Sequence, residues 1–569
     1  MSIRRRLTSH LSDFKSDVKA KATSRSAWIL PKESNSFAPE DTWTNKDNDV
    51  TPPSRRTWTS WTILGFWFSD ALNMQGWENP SSIIAIGLTW REAILCNCMG
   101  MVIVAIPLVL NGAIGSALHV PYPVAARSGF GFHFAKFAVV VRMVTALFWH
   151  SIQTYSGSFA LTNCISAIWP SYLTIPNHIP ENIGVTSQQL ASHTLFWFIQ
   201  LPILLIPPHK LKWFFAFKTV VVMASCIGVA AGMTHLAKSH GDMWDQKATI
   251  HGSEKSWKIL SCMMSSAGGW ATMATNIPDF TRYMRGGKGQ YWQGLFLPVI
   301  STFVGIMAII STSCAGVVYG EYIWDPTSLA AKWNSPAGRA AKFFVGFSWV
   351  VGQIGTNLSA NVITAANDMT SLFPKYINIR RGALLATIIG GWVMQPWKIE
   401  NSASQLLTFM SGLAVFLAPV AAILAADWWI VKRKHVDVPA LYNPHGRYQY
   451  WHGINWRAVV TFVISLTPNL PGLANSVTPS LGLSGGIVHV WDINYLYGFW
   501  VAVFVYSSLS LLFPEPETLI PETVSGDSLW KDESEDVIEA YNPATDTYEE
   551  ASSTEKIPVY AEKEEPKAF

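Results

Sequence analysis

The feature that most constrains this chain is a succession of long apolar stretches between residues 59 and 513, where only 41 of 455 residues are Asp, Glu, Lys or Arg, about 9%. Soluble proteins average near ~25% charged residues, and a soluble domain of this size needs them to coat its surface. A bilayer interior removes that need. A helix of roughly 20 apolar residues crosses the ~30 Å hydrocarbon layer with its backbone groups satisfied internally. Twelve such stretches are readable, at about 62–88, 92–111, 136–167, 194–206, 213–236, 259–278, 292–318, 341–372, 383–395, 405–431, 456–474 and 495–513. The expected fold is therefore an all-α integral membrane protein with twelve transmembrane helices. The 27 Trp fit aromatic belts, where a ring sits in lipid and its N–H reaches headgroups.

The charges gather at the two ends. Residues 1–58 carry 11 basic and 7 acidic side chains, and residues 514–569 carry 4 basic and 16 acidic ones. The first apolar stretch begins near Trp61 behind a long polar leader, so it is expected to stay as a span rather than serve as a cleaved signal. An even number of spans puts both tails on one side, and Arg4, Arg5 and Arg6 suggest the cytoplasm, with the plasma membrane as the location. The connections that would then be cytoplasmic carry Lys210 and Lys212, Arg282, Arg285 and Lys288, Lys375, Arg380 and Arg381, and Lys432 to Lys434. One opposite connection runs against the rule, with Lys238, Lys247, Lys255 and Lys258. Arg4 to Arg6 with Lys15, Lys19 and Lys21 could also touch anionic lipid. The acidic C-terminal tail has little apolar content, so it is expected to be disordered and regulatory. The six cysteines all fall inside apolar runs and read as small core residues. No metal-ligand cluster, nucleophile elbow or phosphate loop is present, which argues against an enzyme and against a cofactor.

Two spans are interrupted. The first contains Asn73-Met74-Gln75-Gly76-Trp77-Glu78-Asn79-Pro80, and the sixth contains Ser265-Ser266-Ala267-Gly268-Gly269-Trp270 followed by Asn276-Ile277-Pro278-Asp279. Either alone reads as a packing kink. As a pair five spans apart, they point to an inverted-repeat transporter whose substrate site lies at the breaks. The units are then an N-terminal tail (1–58), a first repeat of helices 1–5 (59–255), a second repeat of helices 6–10 (256–432), helices 11–12 (433–513) and the C-terminal tail (514–569). The third and eighth spans carry the remaining polar clusters, Trp149-His150-Ser151-Ile152-Gln153 and Gly355-Thr356-Asn357-Leu358-Ser359-Ala360-Asn361. Trp149 and Gln153 are four apart and share a helix face. Carboxamides at Gln153 and Asn361 with stacking indoles would suit a planar ligand bearing amide-like edges, the alternative being interhelical hydrogen bonds.

Trp270-Ala271-Thr272 with Asn276-Ile277-Pro278-Asp279-Phe280-Thr281-Arg282-Tyr283, the run Gly355 to Asn361, and Pro374-Lys375-Tyr376-Ile377-Asn378-Ile379-Arg380-Arg381-Gly382 resemble signatures of the first type of nucleobase and cation symporter, in particular its fungal uracil, allantoin and uridine permeases. The resemblance spans roughly residues 55 to 513. It implies twelve spans with a five-plus-five inverted repeat and broken first and sixth helices, carrying heterocycles inward by alternating access with a coupled cation. It also implies that Trp149 and Trp270 sandwich the substrate, that Gln153 and Asn361 bond its edges, and that Gly269 lies beside the ring.

In sodium-coupled members of the family, first-span and eighth-span carbonyls join two adjacent eighth-span hydroxyls around the ion. Here those positions read Gly355 and Thr356, so one hydroxyl is missing and a proton is the expected coupling ion. A proton carrier must titrate, and an ionisable group in a membrane is a functional candidate by default. Glu78 and Asp70 are the expected carriers, with His150 a lesser candidate. Asp279 is read as structural, in a gate or packing ion pair with Arg282. Phe409 and Met410 in the tenth span are candidate gates. Lys531, Lys556, Lys563 and Lys567 are possible ubiquitin acceptors. The expected function is import of a nucleobase or related heterocycle, uracil or allantoin foremost, by proton symport. Uridine, thiamine or nicotinamide riboside transport and a nontransporting receptor are the alternatives.

Overall fold

The computed structural model describes residues 23–32, 36–206, 208–398, 402–483 and 485–530, with a two-residue strand pair at Tyr541–Asn542 and Thr547–Tyr548. The basic cluster Arg4 to Arg6, Lys15, Lys19 and Lys21, and the tail lysines Lys531, Lys556, Lys563 and Lys567, lie outside the described residues.

Twelve helical spans follow in order. The first consists of two halves, Ser60–Ala71 and Met74–Ala85. The second is Trp90–Leu118, the third Ala135–Ile168, the fourth Ser187–Leu204 and the fifth Lys212–Ala237. The sixth runs Gly252–Asn276 and restarts as Pro278–Thr281, and the seventh is Gln293–Tyr319. The eighth is Pro336–Thr356, continued by a π-helical turn Asn357–Val362 and then Ile363–Leu372. The ninth is Ile379–Ile388 with a π-turn Ile389–Val393, the tenth Ala403–Ala426 with a π-turn Asp427–Val431. The eleventh comprises Trp456–Leu466 and Leu470–Val477, and the twelfth is Asn494–Leu512.

Among the described residues, seven of these helices are long and apolar enough to cross a bilayer unaided: the second, third, fifth, seventh, tenth, eleventh and twelfth. The others are broken, short or polar, and they depend on neighbours to satisfy what lipid would not. The first break falls as expected, at Leu72 and Asn73. The sixth helix differs from expectation: it runs unbroken through Ser265 to Trp270 and stops only at Ile277-Pro278. The glycines there serve close packing, since a Cβ on Gly268 would collide with the Met410 carbonyl oxygen.

The largest apolar cluster joins Trp67, Leu108, Met264, Trp270, Leu297 and Leu417, tying the first, second, sixth, seventh and tenth spans together. Large side chains of the fifth and twelfth spans, such as Trp213, Val220, Phe504 and Leu512, face outward, as lipid contact requires.

The segments just before the first span and after the last meet on one face. Residues 45–58 lie as a strap beneath the helices: Asn45 Nδ2 donates to Ile377 O at 3.4 Å, Arg282 Nη1 to Asp47 O at 3.0 Å, Thr51 N to His119 O at 2.8 Å and Trp58 N to Tyr283 O at 2.8 Å. The C-terminal segment clamps it, with Trp530 Nε1 donating to Val50 O at 3.1 Å and Arg56 ion-paired with Asp527. Burial raises the Asp527 carboxyl, but the hydrogen bond and charge of Arg56 outweigh it and hold the group below its ordinary value. On the opposite face, the connection after the fifth span folds back onto the turn between the first and second: Thr249 N donates to Gly87 O at 3.0 Å, and Trp90 N to Gln246 Oε1 at 2.9 Å. Lys255, one of the lysines that ran against the charge rule, is ion-paired with Glu92 there.

Candidate functional site

The break in the first span is built by its own polar residues. Leu72 leaves helical geometry, Asn73 Oδ1 caps the next half-helix by accepting from Gly76 N at 2.8 Å, and Asn73 Nδ2 donates to Asp70 O at 2.6 Å. Gly76 is required, because a Cβ would meet Ala71 O at 2.6 Å. Backbone freed by the break is satisfied from the eighth span, with Met74 N donating to Gln353 Oε1 at 3.0 Å. Gln75 is held by Gln353 and by Ser156 of the third span.

Beside this break lies a buried cavity, walled by the first, second, third, sixth, seventh, eighth and tenth spans. The five residues expected to contact substrate, Trp149, Gln153, Gly269, Trp270 and Asn361, all line it. Trp149 leans edge-on against Phe409, ring centres 5.7 Å apart, and Trp270 edge-on against Trp67 at 5.3 Å. Met410 also lines the cavity, and a Cβ on Gly269 would meet the Met410 methyl at 2.7 Å, so this glycine and the tenth span set the room beside the ring. Several cavity-lining atoms have no hydrogen-bond partner among the described residues, including Trp149 Nε1, Gln153 Oε1 and Thr272 Oγ1. A buried orphan of this kind costs about 1–3 kcal/mol, and a polar ligand or water removes that cost.

Asn361 sits within the eighth-span π-turn and is oriented from behind. Its Nδ2 donates to Asn357 Oδ1 at 2.9 Å, and Asn357 Nδ2 donates to Thr154 Oγ1 and Gln200 Oε1, both at 3.1 Å. Gln200 Nε2 closes the ring onto Thr154 Oγ1 at 3.0 Å. The network commits one edge of Asn361 to the protein and fixes the direction of its oxygen. The sequence reading did not find this support, although π-turns recur at functional sites.

The second missed residue is Lys218. It lies in the fifth span, fully buried, with its Nζ donating to Ser69 O and to Thr356 Oγ1, each at 2.8 Å. These are a first-span carbonyl and an eighth-span hydroxyl, the kinds of ligand a sodium ion would take. Gly355, where a hydroxyl is missing, makes room for the lysine: a Cβ there would meet Lys218 Cδ at 2.6 Å. Asp70 is next to this group, within its electrostatic reach, and accepts from Ser359 Oγ at 2.6 Å. An ionisable group in a membrane core is a functional candidate, and this lysine was visible as such.

The remaining candidates are dispersed. Glu78 is buried beside the break, accepting from Gln75 Nε2 at 3.2 Å, and is not part of the cavity wall. His150 is buried against Gly390 of the ninth span, also away from the cavity. Asp279 makes no ion pair with Arg282 among the described residues. It accepts instead from Tyr122 N at 2.9 Å, Asn367 Nδ2 at 3.0 Å and Asn276 Nδ2 at 3.1 Å, while Arg282 turns to the strap. Its place in the sixth span is thereby tied to the eighth. Arg142 and Asp368 form a further buried ion pair between the third and eighth spans. No group of three or more His, Cys, Asp or Glu able to hold a metal occurs among the described residues, and the six cysteines are free.

A family model described as permease for cytosine/purines, uracil, thiamine and allantoin matches residues 50–498. The chain belongs to this permease family. It is a multi-pass membrane transporter and not an enzyme. An uncharacterized permease of Schizosaccharomyces pombe is 35% identical over 510 residues, 90% of each chain. The uridine permease of Saccharomyces cerevisiae is 32% identical, over 83% of this chain and 75% of its own length, and the allantoin permease of the same yeast is 30% identical, over 83% and 76%. Among solved structures, the nucleobase-cation-symport-1 family transporter Mhp1, closed with bromovinylhydantoin bound, matches with a TM-score of 0.63 at 21% identity, covering 83% of this chain and 97% of its own. Its inward-facing form matches at 0.66 and 18% identity, covering 86% and 99%. At those identities the likeness is one of fold.

Proposed function

We propose that the permease imports a nucleobase or related heterocycle, uracil or allantoin, across the plasma membrane by proton symport and alternating access, with both tails in the cytoplasm. The observation that carries this reading is the buried cavity in which two indoles, two carboxamides and unpartnered polar atoms converge at the first-span break. Trp149 and Trp270 hold the ring, Gln153 and Asn361 bond its edges, Gly269 leaves space beside it, and Phe409 and Met410 gate the outer side. Relatives named as uracil, uridine and allantoin permeases support the substrate class.

Lys218 supports coupling by protons. Its ammonium occupies the space between Ser69 O and Thr356 Oγ1 that a sodium ion would need, and it joins the first span to the eighth. Charged, it makes two charge-assisted bonds across that junction; neutral, it weakens both. Asp70 supplies the opposing charge, and Glu78 stands beside the break as a second carboxyl. The cytoplasmic tail lysines Lys531, Lys556, Lys563 and Lys567 serve as ubiquitin acceptors for endocytosis in this reading.

The test is uptake of labelled uracil, allantoin, uridine and thiamine into transport-deficient cells, with proton and sodium gradients varied separately. Accumulation that follows the proton gradient and ignores sodium is the expected result. Lys218→Met should abolish accumulation against a gradient at normal surface expression. Sodium-driven uptake, or binding with no accumulation of any compound, would reject the proposal, the second outcome in favour of a receptor.

A further inference from the structure

A second group of buried charges lies between the cavity and the strap. Asp368 of the eighth span is fully buried and ion-paired with Arg142 of the third, whose Nη2 also donates to Thr364 O. Asp279, at the restart of the sixth span, is buried within electrostatic reach of both. Each carboxylate follows a cavity residue of its own span, Asn361 or Met273, by about two helical turns in the direction of the strap. The third span packs along the eighth, whereas the sixth packs along the second and the tenth. Asp279 and Asp368 therefore belong to two different groups of helices and face one another across the seam between them, where Asn367 Nδ2 donates to Asp279 Oδ1. Opening the cavity toward the strap has to part this seam.

The charges across the seam do not balance. Around the two carboxylates the charged and titratable groups are Arg142, Tyr122 in the helix after the second span, and Arg282 at the end of the sixth. Arg282 is turned away, donating to Asp47 O and to the Tyr283 hydroxyl, and it has Asp47 of the strap as its own opposing charge. Two carboxylates are thus left to share the Arg142 guanidinium, and like charges in a dry site are relieved when one of them takes a proton. The hydrogen bonds tell the two apart. Asp279 accepts three N–H bonds, from Tyr122 N, Asn367 Nδ2 and Asn276 Nδ2, which suit an ionised group. Asp368 has Arg142 alone, and its Oδ1 has no hydrogen-bond partner among the described residues. We propose that Arg142, Asp279 and Asp368 form a proton-holding gate: closed, Asp368 carries a proton beside the Asp279 carboxylate; opened, Asp279 withdraws with the sixth span and Asp368 releases the proton. The O–H bond of Asp368 breaks, the proton passes to water on the side of the strap, and Asp368 keeps Arg142 as its counterion. A proton from the outward-open cavity restores it in the next cycle. The gate rests on the alternating-access reading above and adds a release site to the carriers named there.

Infrared spectroscopy of the purified full-length permease in lipid tests the proton without any substrate. At neutral pH the parent should show the C=O stretch of a buried carboxylic acid that Asp368→Asn lacks. Asp279→Asn should lose the same band, because removing the neighbouring charge lets Asp368 ionise. Asp368→Asn copies the neutral form, so it should fold and keep the thermal stability of the parent. Transport gives a second readout in proteoliposomes, with whichever of labelled uracil, allantoin or uridine the parent accumulates. Asp368→Asn should still exchange internal for external substrate but lose accumulation driven by a proton gradient. Failure of Asp368→Asn to fold, or a carboxylic acid band unchanged in it, would make Asp368 the ionised half of a structural pair with Arg142 and overturn the proposal. Accumulation by Asp368→Asn equal to that of the parent would overturn it as well. If the parent accumulates none of the compounds, heterocycle import fails, while the infrared bands still decide whether Asp368 holds a proton.

Discussion

Two buried polar regions of this permease are built to opposite rules. At the end of the tenth span, Lys432 Nζ lies 2.8 Å from both oxygens of Asp427 and 2.8 Å from Ser128 O and Oγ, and Tyr506 OH donates to Asp427 Oδ1 at 2.9 Å. Every charge there is matched, and the cluster pins the tenth span to the twelfth and to the connection after the second. The central cavity, by contrast, holds Trp149 Nε1, Gln153 Oε1 and Thr272 Oγ1 with no partner among the described residues. The first holds helices together, and the second leaves polar atoms open beside a space. Burial alone does not separate the two, since both are almost wholly enclosed.

The comparison breaks first at the joint. Lys432→Met should leave Asp427 buried and uncompensated and cost about 3–5 kcal/mol, while adding Asp427→Leu should recover at least half, read as thermal stability of the purified protein in detergent. Gln153→Ala should do the reverse. Its Oε1 has no protein partner to lose, so stability should hold while uptake at low substrate falls about 10–100-fold. Between these lies Asn357→Ala, which removes the support behind Asn361. It should raise the apparent KM about 5–10-fold at a stability cost near 1 kcal/mol, combining the two behaviours. The smallest effect belongs to the strap. Asp527 is 40% exposed, so Asp527→Asn should cost no more than about 1 kcal/mol. Because its pKa is lowered on folding, the contribution is full above the ordinary carboxylate range and fades only as pH falls below it, so the variant and the parent should converge in acid.

The extent to which the sequence anticipates this structure follows from range. Apolar runs locate all twelve spans, because each is a local property, and the first break is local too, written in Asn73 and Gly76. The pair Trp149 and Gln153 is legible from helical spacing. Gly268 and Gly269 read as a break yet proved to be packing residues, since a glycine pair signals either and only the neighbouring Met410 decides. Lys218 stood in view as a charge within an apolar run, but its partners Ser69 and Thr356 are 149 and 138 positions away and carry no local mark. The same holds for the pairing of Arg142 with Asp368 and for the ring of Asn357, Thr154 and Gln200. Which polar residue is satisfied and which is left open is a three-dimensional fact.

The strap also has a consequence for the order of assembly. Val50 receives the indole of Trp530, and Arg56 receives Asp527, so a segment synthesised before any span completes its contacts only after the last span has left the ribosome. All twelve helices can be inserted while that face is still unfinished. A chain that stops short of residue 527 would span the bilayer normally yet present an open seam, with Val50 and Arg56 uncovered. The contact of residues 50–56 with residues 527–530 thus forms late, as the last step in shaping that face.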